Sequence, residues 1–180
     1  MTKKKIELLA PAGDMEKLKT AIIYGSTTGT TENIAGRIAE QMNIASEDVY
    51  EVAKITPADV AQYDMLLLGC STWGAGDLQD DWYKGLEMLK QTDLTGKKIA
   101  FFGAGDSSSY SDTFCGALGV LYEGLKSSGA TFVGQVDPSE YTFDSSEAVI
   151  DGQFIGLPID EENEPNKTDD RISRWIASLK

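Results

Sequence analysis

Tyr24-Gly25-Ser26-Thr27-Thr28-Gly29-Thr30-Thr31-Glu32-Asn33-Ile34-Ala35 is the stretch whose reading decides the fold. A short apolar run, Ala21-Ile22-Ile23-Tyr24, precedes the loop. Ile34, Ala35, Ile38, Ala39 and Met42 follow it at spacings that fall on one helix face. The order is strand, uncharged small-residue loop, helix N-terminus. Such a loop brings backbone N–H groups and hydroxyls to one point, and the helix adds unpaired N–H groups and a partial positive charge. A phosphate fits there without any Lys or Arg. The loop lacks the Gly-Lys-Ser/Thr ending of a nucleoside-triphosphate loop and the three-glycine spacing of a dinucleotide fingerprint. Taken alone it reads equally well as a Ser/Thr-rich turn with Thr30 or Thr31 as N-cap.

The bulk numbers narrow the function. The chain has 180 residues, enough for one domain with a real core. Its 41% hydrophobic and 25% charged content are those of a soluble globular protein. No run approaches the length of a membrane span. Glu7 and Asp14 interrupt the apolar region after Lys3-Lys4-Lys5, so a secretory signal is not expected and the cytoplasm is. Cys70 and Cys115 are too few for a disulfide framework or metal cluster, and the absence of any His excludes Ser-His-Asp and Cys-His catalysis. The net charge of −13 makes nucleic acid and anionic membrane poor partners and favours a basic protein partner.

Strand and helix signals alternate along the chain. Residues 1–14 read as an N-terminal extension to a domain spanning 15–180. Residues 7–25 also resemble the opening of collagenase-like bacterial peptidases, in which 14–24 is a helix; the phosphate loop instead requires a strand before it. Strands are expected over 48–53, 64–69, 97–102 and 131–136. Thr56-Pro57 opens a short helix, and Leu78, Trp82, Leu86 and Leu89 mark another. Phe114, Leu118, Leu121, Tyr122 and Leu125 lie on one side of a further helix. Residues 137–160 read as an insertion of two or three small antiparallel strands. Thr168 reads as the cap of a final helix that turns Ile172, Trp175, Ile176 and Leu179 inward.

This pattern gives an α/β fold, a five-stranded doubly wound parallel sheet whose ligand crevice lies at the carboxyl ends of the strands. Three loops at those ends are rich in small residues, and two carry an aromatic, Trp73 or Tyr110. A flat aromatic ligand with a terminal phosphate would rest its phosphate on residues 26–31 and its ring between Trp73 and Tyr110. FMN has that shape. Four segments carry a family resemblance: Ser26-Thr27-Thr28-Gly29-Thr30-Thr31; Ser71-Thr72-Trp73-Gly74 with Leu78-Gln79-Asp80-Asp81-Trp82; Gly103-Ala104-Gly105-Asp106 with Tyr110-Ser111-Asp112; and residues 137–160 leading into Thr168-Asp169-Asp170-Arg171-Ile172. The chain resembles a flavodoxin of the long-chain type, with an insertion in the last strand.

The resemblance implies strand order 2-1-3-4-5, and flavodoxin is itself one of the cases behind the rule that places FMN at the switch point. It implies a one-electron carrier with no catalytic residues of its own. Its expected cofactor contacts are Ser26, Thr27, Thr28, Gly29, Thr30 and Thr31, then Ser71, Thr72, Trp73, Gly74 and Ala75, then Gly103, Gly105, Asp106, Tyr110 and Asp112. The carbonyl of Gly74 is expected to turn toward the ring nitrogen N5. Asp77, Asp80, Asp81, Asp106 and Asp112 would oppose negative charge on the ring. Expected partners are redox proteins with basic docking surfaces, such as flavin reductases and iron-sulfur oxidoreductases, and a monomer is expected. Two other readings share the fold: an FMN-dependent NAD(P)H quinone or nitro-compound reductase, and a flavin-free interaction module. No cationic group stands ready for a nicotinamide nucleotide's phosphates, which weighs against the reductase.

Overall fold

A computed structural model describes residues 18–73 and 76–179. Residues 1–14, Gly74 and Ala75 therefore lie outside the described residues. In chain order the elements are β1 (Thr20–Gly25), α1 (Thr30–Met42), β2 (Val49–Glu51), α2 (Pro57–Val60), β3 (Met65–Cys70), β4 (Thr72–Trp73), β5 (Asp77–Leu78) and α3 (Asp81–Lys90). They continue with β6 (Lys98–Ala104), α4 (Ala117–Leu125), β7 (Thr131–Phe132), β8 (Val149–Ile150), β9 (Gln153–Phe154), β10 (Gly156–Ile159) and α5 (Thr168–Ser178). Residues 20–25 are strand, so the helical alternative for that stretch fails.

The main sheet runs β2-β1-β3-β6-β10, with β7 also on β6, and every pair in it is parallel. This is the expected 2-1-3-4-5 order, with the fifth position split. β7 pairs with the start of β6 (Lys98↔Thr131, Ile99↔Phe132) and β10 with its end (Phe101↔Gly156 to Ala104↔Ile159). The insertion thus lies within the last strand, but its borders differ from the expectation. The chain leaves the sheet after Phe132 rather than Val136, and residues 156–159 belong to the parallel sheet rather than to the insertion. Gly156 shows why the return falls there: a Cβ on it would stand 2.4 Å from the Phe101 carbonyl oxygen. Between the two halves lie the β8–β9 hairpin and an antiparallel bridge from Phe154 to Val136.

Both faces of the central strands are buried, which explains their unbroken apolar sequence. Ile22, Leu67 and Phe102 point to the layer of α1 and α5, where Ile34, Ile38, Ile172 and Trp175 meet them. Ile23, Leu68 and Phe101 point to the opposite layer, under Trp82, Leu86, Leu118 and Leu121 of α3 and α4. The sheet is thereby fixed from both sides, and the loops that leave β1, β3 and β6 emerge side by side at one edge. α2 is a single turn held by a full capping box: Thr56 Oγ1 accepts from Asp59 N at 3.2 Å, and Thr56 N donates to Asp59 Oδ2 at 3.0 Å. Thr168 does not cap α5 as expected. It is the helix's first residue, and its hydroxyl donates instead to Glu161 Oε2 at 3.0 Å.

Candidate functional site

The chain changes sides of the sheet between β2 and β3, so the crevice opens between β1 and β3 at their carboxyl ends. The loop after β1 enters α1 through Gly29, the N-cap, at φ +95°. Neither Thr30 nor Thr31 takes that place. An L-residue with a branched side chain is strained in the left-handed region, and glycine is not. Ser26 Oγ accepts from Gly29 N at 3.1 Å, closing the loop on itself. The first intrahelical bond is Asn33 N to Gly29 O at 3.0 Å, so the amides of Thr30, Thr31 and Glu32 have no carbonyl one turn back. They lie in the same loop as the hydroxyls of Thr27, Thr28 and Thr30, and residues 26–31 include no Lys or Arg. The first cation beyond it, Arg37, is committed elsewhere: it donates to Asp169 Oδ1 at 2.7 Å and to Glu161 Oε1 at 2.5 Å.

Thr31 is fully buried, and its hydroxyl donates to Ser71 Oγ at 3.0 Å, tying the first loop to the one after β3. Gln79, only 2% exposed, makes a second tie. Its Nε2 donates to Thr27 Oγ1 at 3.1 Å and to Asp81 Oδ2 at 3.2 Å, while its Oε1 accepts from Asp81 N at 3.1 Å. Thr72 Oγ1 accepts from Ala117 N at 3.1 Å, so this hydroxyl supports the start of α4.

Trp73 sits on the β4–β5 hairpin opposite Asp77. Tyr110 sits on the loop after β6. Together with Tyr83, they are the large hydrophobic side chains left exposed among the described residues, at 40% for Trp73 and 50% for Tyr110. Trp73 follows β3 and Tyr110 follows β6, and these two strands are adjacent. Beneath them, a Cβ on Gly103 would meet the Cys70 carbonyl oxygen at 2.1 Å, and one on Gly105 the Cys115 sulfur at 2.7 Å. Small residues are needed there for packing alone. Burial pushes the Cys70 thiol up to about 12, so it stays protonated and inert beside the site.

The Asp106 carboxylate turns inward on its own loop. It accepts from Ser109 N at 2.9 Å, Ser108 N at 3.1 Å and Asn163 Nδ2 at 2.9 Å. The Ser109 amide, the Asn163 amide and then Ser108 hold it below the usual carboxylate range. Asp112 keeps its side chain exposed, and its carbonyl accepts from Ser145 Oγ at 2.6 Å. Uncharged amides and hydroxyls at one end and two open rings at the other suit a flat ring carrying an anionic tail.

Residues 22–175 match the family model described as Flavodoxin. The chain belongs to the flavodoxin family. It is 45% identical over 165 residues to Flavodoxin 1 of Azotobacter vinelandii, covering 89% of this chain and 95% of the relative. It is 41% identical to the flavodoxin of Synechocystis, covering 90% and 96%. Among solved structures, it is similar to a Fusobacterium nucleatum flavodoxin mutant bound to flavin mononucleotide. That match has a TM-score of 0.82 and 30% identity, and covers 90% of this chain and 95% of that one.

Against this flavodoxin frame, two polar groups escaped the list of expected site residues. Gln79 had a sequence signal, as the polar residue between Leu78 and the buried face of Trp82, Leu86 and Leu89. Asn163 had none. Asp160 lies only three residues before it, but Asp106 is brought to it by the sheet.

Proposed function

We propose that this flavodoxin carries FMN with its phosphate on residues 26–31 and its ring between Trp73 and Tyr110. The observation that carries this reading is the cation-free loop at the start of α1. Its three unpaired helix-terminal amides and its hydroxyls can bind a dianion with only the helix's partial positive charge and no cationic side chain. Trp73 and Tyr110 supply flat apolar faces that water otherwise covers. The fold is right for the group, and solved flavodoxins similar to this chain are bound to flavin mononucleotide.

The protein is an electron carrier rather than an enzyme, as flavodoxins are. Bound FMN supplies the one-electron chemistry. The chain's own part is to hold the tail, to exclude water from the ring faces and to set the charge around it. Asp77, Asp80, Asp81 and Asp112 are exposed at the rim and oppose added negative charge at the ring. The same rim, on a chain of net charge −13, suits a monomeric cytoplasmic carrier that meets redox proteins through basic docking surfaces. The test is to load the purified protein with FMN and follow its absorption through partial reduction. A yellow protein that takes up electrons singly, and that consumes no NADPH without an added reductase, supports the reading. A colourless protein, or steady NADPH turnover by the chain alone, contradicts it.

A further inference from the structure

We propose that Asn163, in the loop between β10 and α5, is a positioning residue for the ring end of the site. It acts by fixing the turn that presents Tyr110. The proposal rests on the FMN reading above.

The Tyr110 ring is half exposed, so little packing holds it, and its place depends on the turn beneath. That turn spans residues 106–110. Tyr110 N donates to the Asp106 carbonyl at 2.9 Å, and the Asp106 carboxylate gathers the amides of Ser108 and Ser109. The link from this turn to the sheet runs through a second carboxylate. Asp160, next after β10, is only 1% exposed, and its Oδ2 accepts from Ser107 N at 3.3 Å and from the Ser107 hydroxyl. Its Oδ1 accepts from Asn163 N at 3.0 Å.

Asn163 joins the two carboxylates. Its Nδ2 lies 2.9 Å from Asp106 Oδ1 and 3.0 Å from Asp160 Oδ1, and a carboxamide has two protons to give. Neither carboxylate forms an ion pair among the described residues. Two like charges are thus held close by an uncharged donor, and without it they repel. Removing the amide leaves the turn held to β10 by the Asp160–Ser107 bonds alone, which loosens it but does not unfold the loop, because its far end is fixed separately. The Ser111 carbonyl accepts from the amides of Asp144 and Ser145 at 2.9 and 3.0 Å. The loosened part is therefore confined to the segment that carries Tyr110.

A loosened ring must be ordered again by each flavin that binds, which weakens binding without removing a contact. The test is a fluorescence titration of the flavin-free full chain with FMN and, separately, riboflavin, which lacks the phosphate. Asn163→Ala should weaken both flavins by the same factor, about tenfold, in line with the loss of one preorganising interaction. Asn163→Ser, which keeps one donor, should fall between, and it stands in for the alanine variant if that one does not fold. The deciding readout is the double-mutant cycle: in a Tyr110→Ala background, Asn163→Ala should change nothing further. Equal weakening with and without Tyr110 overturns the proposal, as does weakening of FMN alone or unchanged binding in Asn163→Ala. A wild-type chain that binds neither flavin overturns both the proposal and the reading beneath it.

Discussion

Gly29→Ala isolates the backbone conformation on which the phosphate loop depends. Gly29 sits at φ +95°, and a Cβ placed there meets nothing within 4 Å. Steric clash therefore contributes nothing, and what remains is the intrinsic penalty of the left-handed region, about 1–2 kcal/mol for an L-residue. If the flavin-free protein keeps the loop as it stands, the whole penalty falls on folding and lowers the melting temperature by about 2–8 °C for a chain of this size. If the loop relaxes in the flavin-free state, binding must restore it, and FMN affinity falls by about 5- to 30-fold instead. The two losses should sum to about 1–2 kcal/mol however they divide. Thermal unfolding of the flavin-free protein and FMN titration together give that sum. Gly36→Ala is the paired control. Gly36 also has open space around it but lies exposed within α1 at ordinary φ, so alanine there should stabilise the fold by about 0.5–1 kcal/mol and leave FMN affinity unchanged. If Gly29→Ala changed neither quantity, or stabilised the protein as Gly36→Ala should, the loop's conformation would not be what the site depends on.

Three further outcomes follow from the same structure. Thr56→Ala removes one half of the capping box at α2 and should lower stability by about 1 kcal/mol, measured by chemical unfolding; an unchanged midpoint would mean the turn is held by its packing alone. The folded protein holds the Asp106 carboxyl below its unfolded value, so its stabilising effect is complete above about pH 4 and is lost as the pH falls through the lower, folded value. The stability gap between wild type and Asp106→Asn should therefore close on acidification, and a gap constant with pH would contradict the assignment. Electron exchange with a basic partner protein should slow as salt rises, since the attraction is screened over about 10 Å at 0.1 M ionic strength; rates indifferent to salt would remove the acidic rim from docking.

The central strands β1, β3 and β6 were legible because each is apolar on both faces, and the phosphate loop because it carries no charge between a strand and a helix. Local pattern misplaced what is decided by contacts across the fold. Thr30 and Thr31 have good capping chemistry, yet the loop's geometry demands φ +95° at the cap and only Gly29 takes it readily. Thr168 looked like a cap, and the nearby Glu161 claimed its hydroxyl. Residues 156–159 looked like part of an insertion because nothing in their own sequence says that Phe101–Ala104 awaits them. Trp73 and Tyr110 were found because aromatics in small-residue loops stand out. Asn163 and Asp160 bond to each other locally, but their bonds to Asp106 and Ser107 span more than 50 positions, and no window on the sequence shows those.

The measurement that bears most directly on this account is a crystal structure of the full chain grown with excess FMN. It should show the phosphate seated on residues 26–31 without a Lys or Arg contact and the ring between Trp73 and Tyr110. A phosphate held by a cation elsewhere, or a tail in the loop with both aromatic rings turned to solvent, would contradict it.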